Sequence, residues 1–172
     1  TYRVNNFGVK GRGIRIAMLE DNGIDPACPH LNVQSWFNAG APNPDDHMIL
    51  PEIISREPLG PAVRHGDDQW RDIVDFAVLA MINAEELGIT SKNVDQMLKS
   101  KDPKVMRFLG VTPGNGKALG LDEKFAYNII KQVGNYGEVF ERNVGVNTLL
   151  GIERGMNALW TNGGLMYSAP FK

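Results

Sequence analysis

The sequence is short of the residues that most often carry chemistry. Cys28 is the only cysteine, which excludes an intrachain disulfide and any multi-cysteine metal site. There are three histidines, His30, His47 and His65. None stands in a His-x-x-x-His spacing that would bring two ligands onto one helix face. The strings Asp45-Asp46-His47 and His65-Gly66-Asp67-Asp68 read as solvated turns, because adjacent residues rarely all face one ion. The expectation is no metal and no cofactor.

An excess of basic charge is missing too. Lys and Arg number 18 against 20 Asp and Glu, giving a formal net charge of -2. A nucleic-acid partner is therefore disfavoured. No apolar run approaches the roughly 18 residues that span a bilayer. The first residues, Thr1 to Asn6, contain no apolar core of a signal peptide. Gly11-Arg12-Gly13 precedes an apolar run instead of following one, so it is a turn and not a phosphate-cradling loop. Cys28 has His30 nearby in a proline-bracketed loop but no supporting motif, and is read as structural. Paired carboxylates such as Glu85-Glu86 and Asp67-Asp68 read as solvated charge at helix ends. No catalytic residue is assigned.

What is present is an ordinary globular composition, 42% hydrophobic and 22% charged in 172 residues. Three zones differ in texture. Residues 1–43 are rich in Gly, Asn and Pro, with one apolar run, Ile14 to Leu19, that predicts a strand stopped by Asp21-Asn22-Gly23. From Met48 to Arg64, short β-favouring pieces (Met48–Leu50, Ile53–Ile54, Leu59–Val63) are interrupted by Pro51, Pro58 and Pro61. These predict edge strands or crossing segments.

The remainder predicts helices. Trp70, Ile73, Val74, Ala77, Val78, Met81 and Ile82 share one helix face. Asp67 and Asp68 suit its start, and Gly88 suits its end. Ser91 opens a short helix with Val94, Met97 and Leu98 inward. Asp102-Pro103 starts another, carrying Val105, Met106 and Leu109. Thr112 to Gly116 is a loop. Asp122 caps a long helix with Phe125, Ala126, Ile129, Ile130 and Val133 on one face, weakened by Gly134 and Gly137 by about 1 kcal/mol each. A final helix carries Ile152, Met156, Leu159 and Trp160 up to Gly163-Gly164. The aromatics Trp70, Phe76, Phe125, Tyr127, Phe140 and Trp160 read as core.

The run PDDHMILPEIISREPLGPAVR (44–64), continued by GDDQW (66–70), INAEELGITSKNVD (82–95), AYNIIKQVGNYGE (126–138) and GGLMY (163–167), resembles the general L-amino-acid-binding receptors of bacterial polar amino acid ABC importers. The likeness covers about three quarters of the chain. It implies an α/β, type II periplasmic-binding-protein-like lobe, partial, with a mostly helical C-terminal half. It further implies a periplasmic location with a signal peptide removed, an L-amino acid as ligand and ABC permease subunits as partners.

Residues 53–64 would be the last crossing between the two lobes, with Ser55, Arg56 and Glu57 as hinge candidates. The family's ligand-clamping arginine and aspartate precede the Pro44 equivalent, and Val33 stands where the Thr-Asp-Gln-Ser aspartate would be. No ligand-binding residue is carried over.

Residues 11–31 more weakly resemble the catalytic-aspartate segment of subtilisin-like proteases, with Asp21 in the aspartate's place. The nucleophile segment of that family is absent from the sequence, and an aspartate cannot cleave peptides alone. The expected organisation is a strand and turn segment over 1–43 and a receptor part over 44–172. The expected function is a non-catalytic solute-binding component, or a fragment of one. A degenerate hydrolase fragment and a self-associating structural remnant are the alternatives.

Overall fold

The computed structural model describes residues 60–148 and 151–171, together with two short strands. Strands β1 (Arg3–Asn5) and β2 (Met18–Glu20) pair antiparallel, with Arg3 opposite Glu20, Val4 opposite Leu19 and Asn5 opposite Met18. The end of the expected Ile14–Leu19 strand lies in β2. Ile14 to Ala17, Asp21, Cys28, His30, Val33, His47 and Ser55 to Glu57 fall outside the described residues, as does the expected boundary between 43 and 44. Gly60 to Val63, the described part of the third β-favouring piece, lies in no strand. Pro61 has no N–H to give a ladder there.

Helix α1 (Asp68–Glu86) begins where expected. Asp67 caps it, its carboxylate accepting from the Trp70 N–H at 3.1 Å. Asp68 sits in the first turn, and Gly88, at φ 66°, ends the helix in the left-handed conformation. The buried face differs from the expected one. Trp70 is 52% exposed, while Ala80 and Ala84 are completely buried. Ile73, Val74, Ala77, Val78 and Met81 are half-buried, leaving Ile82 as the one fully buried member of the predicted stripe. Two alanines one turn apart share a face, and their small side chains let neighbouring helices approach closely.

Those neighbours are α5 (Phe125–Val133) and α6 (Tyr136–Asn143), both packed against α1. Three short helices lie between: α2 (Val94–Met97), α3 (Pro103–Phe108) and α4 (Asn115–Ala118). The start of α3 follows the sequence signal. Asp102 accepts from the Lys104 N–H at 2.8 Å with Pro103 in the first turn. Val105 and Leu109 are buried as expected, and Phe108, not assigned inward, is 1% exposed.

Three expected elements are corrected. The Thr112–Gly116 loop closes into α4, because Glu123 supplies the turn's N–H groups with an acceptor. The long helix breaks at Gly134, whose φ of 93° leaves helical geometry, and Asn135 starts a new one. Ile152 to Trp160 does not form the expected helix. It folds as two single 3-10 turns (Gly155–Asn157 and Trp160–Asn162) flanked by isolated bridges from Gly145 to Ile152 and from Leu159 to Met166. Gly155, inside the expected helix, takes a φ of 46°, which an α-helix interior does not accommodate. Ile152 and Leu159 are still buried, but Trp160 is 61% exposed.

The core joins Ala80, Ala84, Ile89, Val94, Val105, Phe108, Leu109, Phe125, Ala126 and Ile130. Phe171 comes back from the chain end to meet it. Its ring lies edge-on to Phe76 at 5.6 Å and to Phe108 at 5.3 Å, and stacks on Phe125 at 6.4 Å.

Candidate functional site

Polar side chains gather at two junctions of this helical body. The first lies where the loop after α1 meets the start of α6. Asn135, 6% exposed, caps α6 by accepting from the Glu138 N–H at 2.9 Å. The Glu138 carboxylate reaches back to accept from the Asn135 N–H at 2.9 Å, completing a capping box. The same carboxylate takes the Ser91 N–H at 2.9 Å and the Ser91 hydroxyl at 2.6 Å. Asn135 Nδ2 donates to the Ile89 carbonyl at 2.9 Å. Two side chains thus fasten the α1–α2 loop to α6. The spacing Asn135-x-x-Glu138 is a readable capping signal, but the sequence reading placed it inside one long helix.

The second junction is built on Arg154. Its guanidinium grips Glu85 with two bonds, 3.0 and 3.1 Å, and donates to the Asn157 carbonyl at 3.2 and 2.8 Å. Its central carbon lies 5.3 Å from the Tyr136 ring and 5.2 Å from the Phe140 ring. Bidentate pairing and stacking on aromatic faces both favour arginine over lysine here. The Glu85 and Arg154 side chains are only 17% and 18% exposed, so the expectation that Glu85 is solvated charge is corrected. Gly137 leaves room for the pair, since a Cβ at that position would lie 2.9 Å from Arg154 Nη1. Glu86 is exposed and accepts from Trp160 Nε1 at 3.2 Å and from the Ser168 N–H at 3.3 Å.

Two more carboxylates are held at the surface. Glu123 accepts the N–H groups of Gly114 at 2.9 Å, Gly116 at 3.1 Å and Lys117 at 3.2 Å. The Gly114 bond is the largest influence on its carboxyl, which is lowered below the usual range. Asp95 is lowered by its bond to Lys131 and then by that to Tyr127. The Lys131 amine and Tyr127 phenol are raised in turn by bonding to Asp95.

For Glu138, burial pushes the carboxyl up. The Ser91 hydroxyl, the Asn135 and Ser91 backbone N–H groups and the Lys92 charge outweigh it, so the net shift is downward from 4.5. A carboxylate held ionised cannot serve as a general acid at neutral pH. The Ser91–Glu138 pair is a structural tie.

The lowered Glu138 carboxyl makes stability pH-dependent. Its contribution is fully present above the unfolded-state value near 4.5 and is lost as pH falls through the lower folded-state value. Urea unfolding from neutral pH down to pH about 3 should therefore show a loss of stability that Glu138→Gln reduces. An unchanged acid slope in that variant would contradict the assignment.

The residues singled out from sequence are not brought together. His65 is exposed, Asp67 is engaged as a cap and Asp68 stands at the surface. Among the described residues, no three of His, Cys, Asp and Glu gather as a metal site, and no helix is long and apolar enough to cross a membrane. The hinge candidates Ser55, Arg56 and Glu57 lie outside the described residues.

No family model matches the chain. It is 58% identical over 132 residues to the general L-amino acid-binding periplasmic protein AapJ of Rhizobium johnstonii, a match covering 76% of this chain and 39% of that protein. It is 53% identical over 135 residues to the glutamate/glutamine/aspartate/asparagine-binding protein BztA of Rhodobacter capsulatus, covering 78% and 40%. The putative amino-acid ABC transporter-binding protein YhdW of Escherichia coli is 54% identical over 131 residues, covering 76% and 38%.

Among solved structures, an ABC transporter periplasmic binding protein from Brucella ovis with glutathione bound superposes with a TM-score of 0.74. It is 50% identical, with 81% of this chain and 44% of that one covered. These relatives are binding proteins and not enzymes. The described helices are thus the helix-rich part of a periplasmic-binding-protein lobe. Over the shared stretch the chain is a homologue of the amino-acid-binding periplasmic proteins of ABC transporters, and it spans about two-fifths of the length of the curated relatives it matches.

Proposed function

We propose that the chain is a solute-binding component, or a fragment of one, of an ABC importer for L-amino acids, acting in the periplasm without catalysis. The 58% identity to AapJ over 132 residues carries this reading, and the 0.74 superposition on a binding protein supports it. Its partners are an L-amino acid and the ABC permease subunits. It uses no cofactor and no nucleic acid. Residues 44–172 form the receptor part in this reading, residues 1–43 are a separate strand and turn segment, and Ser55 to Glu57 absorb the lobe rotation. The bound glutathione of the Brucella protein extends the ligand set to small peptides carrying an amino-acid head.

A thermal-shift screen against the L-amino acids and glutathione tests the proposal. A ligand that binds only the folded chain, at about a hundred times its Kd, adds about 2.7 kcal/mol and raises the melting temperature by roughly 5–10 °C. No shift with any compound of the set would overturn the binding role.

A further inference from the structure

The chain contains three Asn-Gly pairs, Asn22-Gly23, Asn115-Gly116 and Asn162-Gly163. The first lies outside the described residues. An asparagine followed by glycine can close on itself, because glycine has no Cβ to keep its backbone nitrogen from the asparagine amide carbon. That nitrogen loses its proton and bonds to Cγ. The Cγ–Nδ2 bond then breaks, and Nδ2 leaves as ammonia. The cyclic imide takes up water and reopens at either carbonyl, giving aspartate or isoaspartate. Water is the one co-reactant.

The fold sets the two described pairs in opposite surroundings. Asn162 and Gly163 are both exposed, at the end of a single 3-10 turn. Gly163 sits at φ 82°, and nothing lies within 4 Å of a carbon added to it. Its N–H is held by one long bond, 3.3 Å to the Trp160 carbonyl. Asn115 instead starts α4, with Nδ2 enclosed and without a partner among the described residues. Gly116 is buried, and a Cβ on it would lie 2.4 Å from the Asp122 carbonyl oxygen. Its N–H donates to the Glu123 carboxylate at 3.1 Å. A carboxylate against that N–H opposes loss of its proton, and an enclosed amide leaves the charged intermediate unsolvated.

We propose that Asn162 is a site of spontaneous covalent modification, converting through the imide to aspartate and isoaspartate in the folded chain, while Asn115 is protected. Isoaspartate lengthens the main chain by one carbon inside a closed turn. There the Asn162 and Gly164 N–H groups both donate to the Leu159 carbonyl, at 2.8 and 3.0 Å. A Cβ on Gly164 would lie 1.8 Å from the Ala158 carbonyl oxygen, so the backbone is already in close contact with itself. An extra carbon displaces Trp160, which opens this turn and whose Nε1 donates to Glu86 on α1. Isoaspartate therefore loosens the hold of the turn on α1. Aspartate keeps the main-chain length and leaves it intact.

The test is timed incubation of the full chain in mildly alkaline buffer, with and without concentrated urea, followed by peptide mapping that resolves each pair. In the folded chain, conversion at Asn162 should outpace that at Asn115 by at least about tenfold, the rate equivalent of enclosing an unsatisfied polar group. In urea the two rates should converge. Equal rates without urea would overturn the proposal. So would a preference that persists in urea, which would assign it to neighbouring residues and not to the fold. Melting temperatures read the consequence. Aged protein should melt below fresh protein, aged Asn162→Gln should not, and fresh Asn162→Asp should match the fresh parent, as an exposed substitution does. A drop in aged Asn162→Gln, or an equal drop in fresh Asn162→Asp, would contradict the effect of the lengthened main chain. Neither measurement depends on solute binding.

Discussion

Replacing Arg154 with methionine is expected to destabilise the chain by about 3 kcal/mol, the cost of leaving a largely buried carboxylate without its partner. Four donor contacts vanish together, two to Glu85 and two to the Asn157 carbonyl. The packing on Tyr136 and Phe140 survives in part, because methionine keeps an apolar stem against the rings. The melting temperature should fall by roughly 6–12 °C. Arg154→Lys should recover little, since an ammonium cannot make the two parallel bonds.

The informative comparison is the double variant Arg154→Met/Glu85→Met. Removing both charges eliminates the stranded carboxylate, so its loss should fall short of the two single losses added together by about 1–3 kcal/mol. Simple additivity in urea unfolding would show that the pair is not coupled.

Gly110→Ala should be comparably damaging, for a different reason. Its φ of 72° already costs an L-residue about 1–2 kcal/mol. The new Cβ would also stand 1.9 Å from the Glu123 carbonyl oxygen and 2.5 Å from its carbon. Those atoms are backbone, so no side-chain rotation relieves the clash, and α5 must move away from α3. Overpacking of this kind adds about 1–3 kcal/mol, for an expected total of about 2–5 kcal/mol. Gly88→Ala is the matched control. Its φ is 66°, yet nothing lies within 4 Å of the added carbon, so only the conformational cost of about 1–2 kcal/mol applies. Equal losses at the two positions would contradict the close approach.

Local chemistry was legible in the sequence wherever one residue acts on its near neighbours. Asp67 and Asp102 cap the helices they precede, and Gly88 ends α1, because each effect needs only the backbone within a turn. The buried face of α1 was not legible. Alanine carries little hydrophobic signal, so Ala80 and Ala84 drew less weight than Trp70, which the fold leaves at the surface. The Ile152–Trp160 segment has helical apolar spacing, but Gly155 within it adopts a positive φ and the period has no helix to describe. Arg154 was missed because it lies outside any helix while its partner Glu85 lies on α1, 69 residues away in the chain, and no periodicity links the two. Phe171 was missed for the same reason. The family likeness was legible from Pro44 onward because it rests on long runs of residues and not on a short pattern.

Calorimetric titration of the protein amino acids, one at a time, into the folded chain measures solute binding directly. The account predicts saturable heat with at least one of them, at about one molecule per chain, competed away by a second ligand of the same class. A chain that unfolds cooperatively in urea, and so is folded, yet gives no saturable heat with any amino acid would contradict it.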